Sequence, residues 1–210
     1  MAISYPLSLP TQAGVASVTL RAANVVALSQ SPFTFRQQVF KHPGERWEAT
    51  VTLPAMARAN AESWLSFLLA LKGQAGTFLL GDPANADPRG ALAGSSATVQ
   101  VRSSVSVGDT SIPLKGLPNS MTGALLPGDY IQLGAAGTAT LHKVLLQVNS
   151  NGSGEGTAEV WPAVRRAVVT DEAVVFSNAV GRFRLDSNSQ DWQINTARIY
   201  QISFDAVEAV

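Results

Sequence analysis

One helical stretch bracketed by strands constrains this chain more than anything else in it. Residues 47–53 alternate, with Trp47, Ala49, Val51 and Leu53 on one side and Glu48, Thr50 and Thr52 on the other. That period of two marks a half-buried strand. Over 56–72 the spacing becomes helical: Ala57, Ala61, Trp64, Leu65, Leu68 and Leu71 share one face, and Ser63, Ser66 and Ala70 lie opposite. Pro54 precedes this helix and Gly73 follows it as a left-handed stop. About 17 residues at 1.5 Å rise span roughly 25 Å, enough to cover a sheet face. Phe78, Leu79 and Leu80 then make a short apolar strand ended by Gly81-Asp-Pro83. The whole stretch describes a packing unit and holds no active-site constellation.

The rest of the chain reads as β. Residues 16–21 alternate, and 24–29 are apolar. Residues 33–40 alternate again, with Phe33, Phe35 and Val39 on one side. Lys41-His-Pro-Gly44 reads as a turn because Pro-Gly is a strong breaker, so 33–40 and 47–53 are expected to pair as a hairpin. Residues 84–96, rich in Ala, Gly, Asp and Pro, read as a linker or long loop. Strands at 97–102, 111–114, 129–133, 141–148 and 156–161 follow, the pattern of a small barrel or sandwich. Further strands fall at 173–176, 181–186 and 197–206, the last turning Tyr200, Ile202 and Phe204 to one side.

Long β-runs near both ends imply that the ends meet around an inserted middle. The expected fold is mainly β with one packed helix. Residues 1–83 and 167–210 form one domain carrying helix 56–72, 84–96 link, and 97–166 form an inserted small β-barrel.

Composition narrows the function classes. The 210 residues allow one large domain or two small ones. Cysteine is absent, which excludes disulfides and thiolate metal sites. Charged residues make up 14%, balanced at 15 against 15, where globular chains average about 25%. Low charge suits an oligomer or shell subunit, and it suits equally a small Ala- and Val-rich monomer. Zero net charge argues against a tight electrostatic grip on nucleic acid. No apolar run approaches the ~18 residues of a membrane span. Residues 1–10 lack the basic and apolar regions of a signal peptide, so a cytosolic chain is expected before assembly.

Chemistry-bearing residues are scattered. His42 sits in the expected turn, and His142 lies in a strand with Val144 and Leu146, where a satisfied barrel residue is expected rather than a ligand. Two isolated imidazoles without cysteine make no zinc-like ligand set. Sequence order leaves a Ser-His-acid site open. However, Gly94-Ser-Ser-Ala and Gly152-Ser-Gly-Glu do not form a nucleophile elbow. Residues 149–156 lack the Lys-Ser/Thr of a phosphate loop and read as a hairpin turn. Asp82, Asp87, Asp109, Asp129, Asp171, Asp186 and Asp191 mostly adjoin turn formers. Arg165-Arg166 and Arg182-Phe-Arg184, interleaved with Trp161 and Phe183, offer stacking on bases or a solvated or inter-subunit strand face. No residue emerges as catalytic, cofactor-binding or metal-ligating.

Three word groups resemble distal-tail or baseplate-type proteins of long non-contractile (siphophage-like) bacteriophage tails. They are the helix with Leu71-Lys-Gly-x-x-Gly-Thr-Phe-Leu-Leu-Gly-Asp-Pro83; Leu126-Pro-Gly-Asp-Tyr-Ile-Gln-Leu-Gly134 followed by Leu141-His-Lys-Val144; and Val160-Trp-Pro-Ala-Val-Arg165. In the third the family commonly shows a second proline where Ala163 stands. The resemblance covers roughly 47–166. It implies a tail-tube-like β-sandwich with a flanking α-helix, assembled as a ring around the DNA channel, and an outer β domain that carries fibres or receptor-binding proteins. It implies a virion protein of the tail tip, present in the host cytoplasm before assembly. Its partners would be its own copies (a hexamer ahead of a trimer), the tail tube protein, tail hub or tip and fibre proteins, and viral DNA sliding through the lumen without sequence-specific binding. It implies no catalysis and no cofactor.

A ring subunit needs long β-edges that pair with neighbours and interfaces that close by rotation. The candidate interface residues are therefore Phe33, Phe35, Phe40 and Trp47 of the expected hairpin and Tyr200, Ile202 and Phe204 of the terminal strand. Two other readings compete. A carbohydrate- or host-surface-binding module would expose Trp161, Trp192 or Tyr130 on a concave face. A hydrolase of cell wall or nucleic acid would converge a pair of acids, or set His142 beside Ser and Asp.

Overall fold

The computed structural model describes residues 3–12 and 14–209. The expected first domain and the signal-peptide reading of 1–10 both reach Met1, Ala2, Ala13 or Val210, which lie outside the described residues. The chain is mainly β with one α-helix among those residues. The elements are β1 (Ser17–Gln30), β2 (Gln37–Thr52), β3 (Met56–Ala57), α1 (Arg58–Ala70), β4 (Phe78–Leu80), β5 (Gln100–Val101), β6 (Ser111–Lys115), β7 (Tyr130–Leu133), β8 (Thr140–Val144), β9 (Gly156–Trp161), β10 (Val174–Val175), β11 (Gly181–Leu185), β12 (Trp192–Ile194) and β13 (Ile199–Glu208).

They form two sheets. The first runs β1-β2-β13-β11-β4, with β3 and β12 also paired to β13. The second runs β10-β7-β8-β9-β6-β5 and draws every strand from within 100–175. This second sheet nearly closes on itself. Gln100 bridges Ala173, and the Val174 and Val101 amides donate to the carbonyls of Val99 (3.0 Å) and Glu172 (2.9 Å).

Each sheet has its own core. In the first, α1 lays Ala61, Trp64, Leu65, Phe67 and Leu68 onto the sheet. Phe78 stands at its centre, edge-on to Phe67 at 5.5 Å and to Phe204 at 6.0 Å between ring centroids. β13 contributes every second residue, Tyr200, Ile202, Phe204 and Ala206, as period-two alternation requires. Trp64 satisfies its indole N–H on the carbonyl of Gln12 at 2.9 Å, so its burial leaves no orphan donor. The second core is aliphatic, built on Leu92, Ile112, Leu114, Ile131, Leu133 and the valines around them. Leu92 belongs to the 84–96 stretch, which carries no strand yet is stitched to 123–124 by the Ala91 and Leu92 amides.

The structure departs from the sequence expectations at several places. The expected turn at 41–44 is strand, and 33–40 does not pair with 47–53. β2 runs straight through Pro43 and Gly44, its hairpin partner is β1, and the reversal lies at 31–36. The breaker signal is absorbed by a bulge: Asn24 faces Glu45 and Val26 faces Lys41, so Val25 alone opposes His42, Pro43 and Gly44. Pro43 needs no ladder donor at such a place, and a Cβ on Gly44 would meet Val25 Cγ2 at 2.7 Å. Phe33 and Phe35 therefore lie in the connection rather than on a strand face. Ala57 is exposed, because the helix starts one residue after it. The 141–148 strand ends at Val144.

The two flanks of the first sheet differ. Beside β4, the Leu7 amide donates to Thr77 O at 2.8 Å and Leu7 O accepts from Leu79 N at 2.9 Å, which covers that flank. No described residue pairs along the outer side of β1.

Candidate assembly interface

The long strands β1 and β2 change character along their length. Their inner halves are amphipathic: Trp47, Ala49 and Val51 are buried, while Val18 and Leu20 pack against the same core. Beyond the bulge, every residue from Asn24 to Gln30 and from Gln37 to Gly44 is exposed. At its base the ribbon still meets the second sheet's segment, where the Trp161 indole donates to Asn24 Oδ1 at 2.9 Å and Val25, Pro43 and Gly44 share a depression with Val107 and Arg165; farther out it is two-stranded, with no second layer among the described residues.

That ribbon is apolar on both faces. The pairs Val26↔Lys41 and Leu28↔Val39 share one face, and Ala27↔Phe40 lies on the other. Leu28 and Val39 are 58% and 59% exposed, and at the tip Phe33 and Phe35 reach 91% and 73%. An aromatic side chain carries roughly 150–250 Å². The two tip phenylalanines alone thus bare on the order of 300 Å², already the size of the largest apolar patch on a typical monomer. Charge on the ribbon is limited to Arg36 and Lys41.

Of the residues named from sequence for an interface, Phe33, Phe35 and Phe40 lie on this ribbon. Trp47, Tyr200, Ile202 and Phe204 do not face solvent: they are 4%, 9%, 2% and 4% exposed and belong to the first core. Phe204 packs beside Trp64 of α1, and Trp47 packs against Tyr130 and Trp161 of the second sheet, so these side chains are taken up by the chain's own core. Val25, Val26 and Leu28 were missed. Their signal was the unbroken apolar run at 25–28, which cannot alternate in and out and so must be buried on both faces or bare on both.

At the base of the ribbon the two sheets are joined by a polar and aromatic knot. The Trp47 indole donates to Leu141 O at 2.9 Å, and its ring lies edge-on to Trp161 at 4.5 Å and near Tyr130 at 5.9 Å. Arg165 pairs with Glu208, whose second oxygen accepts from the Trp47 amide at 2.9 Å. Burial raises the Glu208 carboxyl above its ordinary value, and Arg165 with the backbone amides of Trp47 and Leu141 pulls it back. Burial likewise lowers the Arg165 guanidinium against the pull of Glu208 and Glu45. For Glu45 burial works toward a higher pKa, but the Ala163 amide at 2.8 Å, Lys41 and Arg165 outweigh it and lower it.

His142 is fully buried between Pro162 O (2.8 Å from Nδ1) and Thr140 Oγ1 (3.0 Å from Nε2). Burial pulls its pKa down to about 4; the Pro162 bond opposes this, and Arg165 and Arg166 add to it.

Among the described residues, no serine–histidine–acid set comes together around His142. His142 meets Thr140 and a carbonyl, with no serine or carboxylate on the ring. Among the described residues no group of three His, Asp or Glu side chains is placed to hold a metal. Tyr130 is buried and Trp161 is spent on Trp47, while Trp192 sits in β12, paired to β13 of the other sheet. The three aromatic rings considered for sugar binding therefore share no face. Phe183, considered for base stacking, is fully buried. No helix among the described residues is long and apolar enough to cross a membrane. No family model and no curated protein matches this chain.

Proposed function

We propose that this chain is a ring-forming structural subunit of a siphophage-like tail, placed between the tail tube and the tail tip, in which the ribbon of each copy is covered by the next. The observation that carries the reading is the outer half of β1 and β2. It is a ribbon bare on both faces, tipped by two exposed phenylalanines. An isolated two-stranded ribbon is marginal in water, and a long apolar edge invites pairing. A copy of the chain that covers it removes both liabilities. A contact in which one copy gives its ribbon and receives another's is heterologous, and such contacts close into rings when the rotation permits. The sequence words at 71–83, 126–144 and 160–165 point the same way. On this reading the ring is a hexamer ahead of a trimer. Its neighbours are the tail tube protein and the hub and fibre proteins, and viral DNA passes through its bore unread. The protein is then virion-bound at the tail tip and carries out no catalysis.

The test is solution mass together with negative-stain electron microscopy of the purified chain. The expected result is an annulus with a bore wide enough for duplex DNA, which the double variant Phe33→Ser/Phe35→Ser fails to form. A wild-type chain that stays monomeric at high concentration and with tail partners present overturns the proposal.

A further inference from the structure

Where the two sheets meet, a cavity of about 80 Å³ is lined by Thr138, Thr140, Arg165, Arg166, Arg182 and Ala209. Three guanidinium groups on so small a space repel one another unless each is balanced. Two of them are: Arg165 pairs with Glu208, and Arg166 pairs with Glu172 through both nitrogens. Arg182 meets no carboxylate among the described residues. It donates to Gly137 O at 2.7 Å and to Ala209 O at 3.2 Å, both neutral carbonyls. The Arg165 side chain is 10% exposed, and its Nε is buried without a partner. Among the described residues, then, Arg182 is matched only by neutral carbonyls, and Arg165 carries an unmet buried donor. Both are costly to leave as they are.

We propose that this cavity binds one small tetrahedral oxyanion, inorganic phosphate or sulfate, gripped by Arg165, Arg166 and Arg182. Its volume equals about two to three waters, which admits one such ion and excludes a nucleotide. Guanidinium forks match the oxygens of such an anion in geometry as well as charge. The ligands come from both sides of the joint: Thr140 in β8 and Arg165 and Arg166 after β9 belong to the second sheet's stretch, and Arg182 belongs to β11 of the first. A bound anion therefore fastens one sheet to the other, whatever the chain's state of assembly.

His142 is wired to the same site. Its Nδ1 faces a carbonyl, which only accepts, so Nδ1 carries the proton; in the neutral ring Nε2 then accepts from the Thr140 hydroxyl. Protonation makes Nε2 a donor and frees the Thr140 hydroxyl to donate into the cavity. The charged groups around the ring are Arg165 with Glu208 and Glu45, the latter also paired to Lys41, Arg166 with Glu172, and Arg182 across the cavity. Arg165 and Arg166 oppose protonation of the ring, and an anion bound between them relieves that opposition. Anion binding and His142 protonation consequently reinforce each other, as linkage requires.

The experiment is calorimetric titration with sodium phosphate and, separately, sodium sulfate, against sodium chloride at matched ionic strength, paired with thermal unfolding in the same salts. Saturable one-to-one binding is expected, with a midpoint about 5 °C higher at a hundredfold excess over Kd. The affinity for sulfate, which keeps its charge across the window, should tighten from pH 7 to pH 5. Arg182→Gln should abolish binding. If that variant does not fold, Arg182→Lys, which keeps the charge and loses the fork, should weaken binding roughly tenfold or more. Equal midpoints in all three salts overturn the proposal, as does wild-type affinity in whichever Arg182 variant folds.

Discussion

The inner and outer halves of β1 and β2 are the same two strands under different rules. Inside, Leu20 faces Ala49 and Val18 faces Val51, and a helix closes over them. Outside, Leu28 faces Val39 across the same ladder and nothing lies above. The hydrogen-bonded ladder continues across the bulge; the second layer does not. Apolar content alone therefore says little about burial, and what decides is whether another element arrives to cover the face.

That contrast can be broken in stages. Trp47→Ala should act most strongly, because Trp47 is the last buried apolar residue before the ribbon and packs on Tyr130 and Trp161 of the second sheet. A loss of about 3–5 kcal/mol is expected in urea unfolding, with near-ultraviolet signals from both sheets affected. Glu208→Ala leaves Arg165 buried without its carboxylate and should cost about 3 kcal/mol by the same measurement. Acid tests the joint without mutation. The pKa of His142 falls from 6.5 to about 4 on folding, so the unfolded chain takes up this proton first. Its contribution is fully present above pH 6.5 and disappears as pH falls to 4, about 3 kcal/mol in all. The difference between wild type and His142→Gln across that window, in phosphate-free buffer, isolates it from the carboxylates.

Gly44→Ala probes the boundary itself. The new methyl would press on Val25, at a cost of about 1–3 kcal/mol in unfolding free energy. Phe33→Ser/Phe35→Ser should leave monomer stability within about 0.5 kcal/mol, since nothing packs on those rings. A large loss there would mean that the ribbon is not the unsupported half.

Much of the fold was legible because the periods were clean. The 47–53 alternation, the helical face around Trp64 and the alternation of Tyr200, Ile202 and Phe204 within 197–206 each survive in the structure, since each faces a real second layer, although the last strand starts only at Ile199. Phe67 was overlooked because the helix buries a wider arc than one strict stripe. The ribbon was misread for a physical reason. Pro43 and Gly44 are turn formers in isolation, but a bulge accepts the missing donor and the missing Cβ as readily as a turn does. The cavity arginines were visible only as basic spots. Arg165-Arg166 and Arg182 are brought together by pairing between distant segments, which no local pattern reports.

The way β2 enters the body has a mechanical consequence. From Glu48 to Thr52 it lies alongside β13, which is held in turn by β11. A pull on the ribbon tip along the strand axis would load these ladders in shear, so that neighbouring hydrogen bonds must yield together rather than one after another. The tip can thus bear tension while its own residues remain soft.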